Sequence, residues 1–129
     1  MVNVMESLSK KLEETLEQAA DDVSVRHVAG VLHYLIAHAD IKQYYYELKF
    51  VRNGAGLLEL IGKALRNLDV LKRDERHKEN IKNLKLPSQD DLSSTLKYFN
   101  ALKTDFIKIL SGLAVASCPL CWEERKEGE

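Results

Sequence analysis

The chain has 129 residues, 45% of them apolar and 30% charged, with a net charge of −1 at pH 7. That is enough for one domain with a real core, and too evenly charged for a protein that coats nucleic acid by bulk charge alone. No apolar run approaches the roughly 20 residues needed to span a bilayer, and the N-terminal MVNVMESLSKKLEE mixes charge with apolar residues where a signal peptide has an uninterrupted apolar centre. A cytoplasmic protein is therefore expected.

Asn3 and Glu6 have capping-box spacing, and Met5, Leu8, Leu12, Leu16 and Ala19 follow as a narrow apolar stripe, so a first helix is predicted up to Asp21-Asp22. Ser24 is placed to cap a second helix. There Val25, Val28, Ala29, Leu32, Leu35, Ile36 and Ala39 cover a wider face, as in a central helix. Asp40 is the expected cap of a third. From Tyr44 to Leu68 the pattern reads as a helical hairpin, with Tyr44, Leu48 and Val51 on one arm and Leu57, Leu58, Ile61, Leu65 and Leu68 on the other. Asn53-Gly54 between the arms tolerates positive φ. The segments before and after are expected to pack on this hairpin. Residues 69–87 are polar and charge-dense, which predicts a short helix or two and a mobile connection.

Ser88, with Asp90 and Asp91 in the first turn, opens the final element. Leu92, Leu96, Phe99, Leu102, Phe106, Ile109, Leu113 and Ala116 recur at spacings of three and four, which predicts one long helix with a coiled-coil-like seam. The expected architecture is thus all-α, a compact bundle of about five to six helices with a long C-terminal helix. Residues 1–117 would form the domain and 118–129 a flexible acidic tail containing CPLC. Phe99, Leu102, Phe106 and Leu113 would support self-association, because more apolar residues flank the seam than one seam needs.

Charge is unevenly distributed. Residues 1–41 hold seven acids and three bases, residues 42–85 hold eleven bases and six acids, and residues 86–129 hold five bases and seven acids. The middle segment is net positive. Lys42, Lys49 and Arg52 are spaced by seven and three, Lys63 and Arg66 by three, and Arg73 and Arg76 by three, so each set lines up on a helix face. With Tyr45 and Tyr46 interleaved, these seven cations are the candidate nucleic-acid contacts. A merely solvated face would have the same spacing.

No catalytic constellation or metal site is expected. Cys118 and Cys121 have zinc-knuckle spacing, but tetrahedral zinc needs four ligands, and the missing two would have to come from a second subunit or a distant histidine. His27, His33 and His38 are spaced by six and five, whereas a shared ion on one α-helical face needs spacings of three or four. Whether the two cysteines form a disulfide, bind metal or do neither stays open. Arg26 with His33 does not match the Arg-Asn-His arrangement of helical HEPN-type ribonucleases, since Arg66-Asn67 has no histidine until His77. The acids Glu13, Glu14, Glu17, Asp21 and Asp22 lack the partner set of helical NTP pyrophosphatases. No enzyme and no cofactor is expected.

A Tyr-bearing helix, a tight turn, a helix ending in the string Ala64-Leu65-Arg66 and an Asp-led final helix running into LSGLAVAS together resemble the small subunit of archaeal type I CRISPR effector complexes, the Cascade assemblies. The resemblance spans roughly residues 24–117. It implies a non-enzymatic helical bundle in antiviral defence. Such a subunit stacks in several copies against other subunits of an RNA-guided complex and helps hold opened DNA along the crRNA. The role would fall on Lys42, Lys49, Arg52, Lys63 and Arg66; CPLC and the acidic tail depart from the pattern. The alternative is a helical protein-interaction module that self-associates without touching nucleic acid.

Overall fold

The computed structural model describes residues 4–99 and 106–122. Every element among them is helical: α1 (Val4–Asp21), α2 (Val23–His33) continuing into a π-helical turn (Tyr34–His38), α3 (Gln43–Phe50), α4 (Gly54–Leu71), α5 (Glu75–Asn83), α6 (Gln89–Leu96) and α7 (Phe106–Ser117). Residues 119–122 add a last helical turn. The all-α class follows from the periodicity as expected. Among the described residues no helix is long and apolar enough to cross a membrane.

The hub is α2 and not the α3–α4 hairpin. Val25, Val28, Ala29, Val31 and Leu32 are all buried, and Tyr34 and Leu35 continue the run into the π turn. A helix apolar on nearly all sides has to be wrapped, and α7, α6, α4 and α1 pack around this one. The hairpin contributes a single face, through Leu57, Leu60, Ile61, Ala64 and Leu68 of α4 and Tyr44 and Leu48 of α3. Tyr44 joins the two arms: its hydroxyl donates to the Lys63 carbonyl (3.3 Å) and accepts from Asn67 Nδ2.

The helix starts are set by short polar side chains, at partly different positions from those expected. Asp22, two residues before the expected Ser24, caps α2 by accepting the Ser24 N–H (2.8 Å). Asn53 caps α4 with extended backbone (φ −152°), accepting from Gly56 N–H at 2.8 Å, so the hairpin turn needs no left-handed residue. The only described non-glycine residue with positive φ is Asp40 (φ 56°), which terminates the π turn instead of capping α3. Ser88 and Asp91 do form a capping box at α6. Asn3, the expected cap of α1, lies outside the described residues.

Two further expectations change. The single long helix from Ser88 does not form, because α6 closes at Leu96 with i→i+3 bonds from Lys97 and Tyr98, and α7 opens at Phe106. Of the described seam residues, Leu96 packs on Gly54, Phe99 and Leu113 are buried in the chain's own core, and Ala116 is exposed. Leu102 and the side chains of Phe106 and Ile109 lie outside the described residues. The boundary expected after residue 117 is also absent, since Cys118 is fully buried and Leu120 packs against the core.

Candidate nucleic-acid interface and histidine–cysteine cluster

All seven predicted cations are exposed, but they do not form one stripe. Lys42 pairs with Asp40 (4.0 Å), and Lys49 lies 4.6 Å from the Tyr45 ring centroid. Arg52 would share their face if α3 continued. It does not, because Val51 turns to extended backbone (ψ 123°) and redirects Arg52 into the crevice between α3 and α4. Arg52 and Lys63 thus line an open groove of about 510 Å³, together with Tyr46, Phe50, Glu47 and Glu59.

In this groove two exposed aromatic rings, Phe50 (73% exposed) and Tyr46 (58%), sit beside two cations. Two carboxylates balance them, and Glu47 reaches to 4.0 Å from Lys63. Arg66 lies over Gly62 further along α4. The end of α4 is eight residues, about 12 Å, beyond Lys63, and Arg73 lies past that end, outside the groove lining. Arg76 is neutralised locally: its guanidinium donates to both Asp74 oxygens, at 3.3 and 2.9 Å, and this pairing pulls the Asp74 carboxyl down to about 2.

The structure brings together four residues that the spacing argument separated. The donor atoms of His33, His38, Cys118 and Cys121 all lie within 4.8 Å of one another. Nε2 of His33 is 3.2 Å and Nε2 of His38 3.3 Å from Cys121 Sγ. The spacing of five was excluded on α-helical geometry, but Tyr34–His38 is π-helical, with Ala39 N–H returning to Tyr34 O (3.0 Å). In an i→i+5 turn, residues five apart stack on one face, and the two imidazoles meet edge to face with centroids 5.4 Å apart.

The cysteines arrive from the other end of the chain. Cys118 N–H bonds to Ala114 O and Trp122 N–H to Cys118 O (2.9 Å), so the CPLC segment continues as a helical turn with both sulfurs toward α2. Gly30 permits this approach: a Cβ there would lie 3.2 Å from Ser117 Cβ. Burial, and secondarily the neighbouring His38, lower the His33 pKa, which favours the neutral imidazole. The two thiols are not joined in a disulfide. The signal was present in the sequence as His-x4-His and Cys-x2-Cys; what was missing was the π turn.

Arg26, His27 and His77 have structural partners. Arg26 donates to the Ala20 and Asp21 carbonyls at the end of α1, away from any nuclease-like pairing with His33. His27 binds Asp91 (3.1 Å), and His77 Nδ1 lies 2.6 Å from the buried Tyr34 hydroxyl.

The fold and these two sites define an all-helical domain with an aromatic and basic groove on one hairpin and a Cys2His2 donor cluster at its hub. No protein-family model, curated protein or solved structure matches the chain.

Proposed function

We propose that this chain is a non-enzymatic, nucleic-acid-contacting subunit of an RNA-guided CRISPR effector complex, holding opened single-stranded DNA through its α3–α4 groove. The observation that carries the reading is the juxtaposition of exposed Phe50 and Tyr46 with Arg52 and Lys63 in one open groove. Single strands are bound in this way: bases stack on aromatic faces, worth about 1 to 3 kcal/mol per base, while cations track the phosphates. The sequence resemblance supplies the assembly. Glu47 and Glu59 in the same groove keep the isolated chain a weak binder, so copies set side by side must multiply the effective concentration of sites.

The test is binding of unstructured single-stranded DNA by the full chain and by the reconstituted complex across a salt series. Arg52→Glu with Lys63→Glu should weaken binding equally for all sequences and lower the salt slope by about 0.7 per lost contact. Glu47→Gln with Glu59→Gln should tighten it. The charge balance of the groove favours a second reading, in which Phe50 and Tyr46 anchor a protein partner. That reading takes over if both double variants leave affinity and slope unchanged while Phe50→Asp abolishes assembly.

A further inference from the structure

We propose that His33, His38, Cys118 and Cys121 of one chain hold a single Zn²⁺ as a structural Cys2His2 centre. A tetrahedral zinc with bonds of about 2.0 to 2.1 Å to imidazole nitrogen and about 2.3 Å to sulfur keeps neighbouring donors roughly 3.3 to 3.8 Å apart. The two nitrogen–sulfur separations at Cys121 are already 3.2 and 3.3 Å, and no donor is more than 4.8 Å from another. Closing the set around an ion takes side-chain adjustment alone.

The donor chemistry selects the metal. Two thiolates and two imidazoles suit Zn²⁺ and reject Mg²⁺ and Ca²⁺, which take oxygen ligands. Binding releases one proton from each thiol and transfers no electrons, leaving a neutral site. Four protein ligands fill a tetrahedron, so no position is left for substrate and the role is structural. Cys118 is fully buried while the other three are partly exposed, which leaves an entry path for the ion.

The centre would tie the C-terminal turn to the hub helix. It links residues 33 and 38 to residues 118 and 121, and so clamps α7 against α2 along the close contact at Gly30. It also compensates the cost of the π turn, whose effect is to set two histidines five residues apart on one face. This inference stands independently of the nucleic-acid reading.

The experiment uses the full chain purified under reducing conditions. Elemental analysis should give one zinc per chain, and Co²⁺ added to stripped protein should produce the intense visible bands of a tetrahedral ion with a sulfur-to-cobalt charge-transfer band. Zinc should slow alkylation of both cysteines, and its removal should lower the melting temperature by about 10 °C. His38→Gln and Cys121→Ala, both at partly exposed positions, should each weaken cobalt binding at least about 100-fold with helicity retained at low temperature, whereas His77→Gln should not. No cobalt spectrum and no thiol protection in the native chain would overturn the proposal, and that measurement needs no variant to fold. A stoichiometry of one metal per two chains, or His38→Gln binding like the native chain, would overturn the intrachain four-ligand set.

Discussion

Gly30 lets α2 and α7 approach more closely than a side chain at that position would comfortably permit. A Cβ there would meet Ser117 Cβ at 3.2 Å, and because that atom is fixed to its backbone the helix itself has to give. Gly30→Val should therefore cost about 1 to 3 kcal/mol from overpacking, measured by urea denaturation. The same displacement moves the cysteines off the histidines, so it should weaken cobalt binding too. A variant as stable as the native chain would mean that α7 shifts freely. Tyr34, buried beside the cluster with its hydroxyl on His77, makes a smaller contribution: Tyr34→Phe loses one hydrogen bond, about 1 kcal/mol.

Among the elements, α6 depends on Asp91 more than on its own length of eight residues. The Asp91 carboxylate accepts from Ser88 N–H (3.0 Å), from Ser24 Oγ of α2 (2.7 Å) and from His27 Nδ1 (3.1 Å). These contacts, the Ser88 backbone bond first, hold its pKa well below the ordinary carboxylate range. A depressed folded-state pKa gives stability that is full above the unfolded value near 4 and is lost as pH falls through the folded value. Asp91→Asn should therefore destabilise the chain by about 1.5 to 3 kcal/mol at pH 7. The difference should shrink progressively below about pH 4. Guanidinium melts of both proteins at pH 7 and pH 3 check this; an undiminished gap at pH 3 would place the effect in packing and not in charge.

For the whole molecule, what matters is which apolar surface remains for other molecules. Phe99 and Leu113 belong to the monomer's core, so Phe99→Asp should unfold the chain, costing about 3 to 5 kcal/mol as buried aromatic truncations do. It should not release a folded monomer from an oligomer. Thermal melts with sedimentation velocity distinguish the two; a folded variant of altered sedimentation would restore the seam as an interface. Phe50, by contrast, is 73% exposed in the α3–α4 groove, and Phe50→Asp should leave the melting temperature within about 2 °C. Its loss should appear in single-strand binding, by roughly tenfold for one stacked base.

The all-α class, the two arms of the hairpin and the Ser88 start of α6 were legible because each rests on local rules, 3.6-residue periodicity and a polar side chain over the first turn. The breadth of the apolar face on α2 was legible too, although its consequence, a helix that the others must wrap, required knowing that the hairpin offers only one face. Three features depended on contacts between distant residues. Leu96 and Phe99 turn inward on Gly54 and the core, which breaks the expected long helix; Val51 leaves the helix and carries Arg52 off the lysine stripe. Finally, the π turn at Tyr34–His38 changes the local period so that a spacing of five becomes a shared face, and the close packing at Gly30 brings Cys118 and Cys121 to it. Spacing rules assume one period along a helix, and only the packed chain reveals where that period is broken.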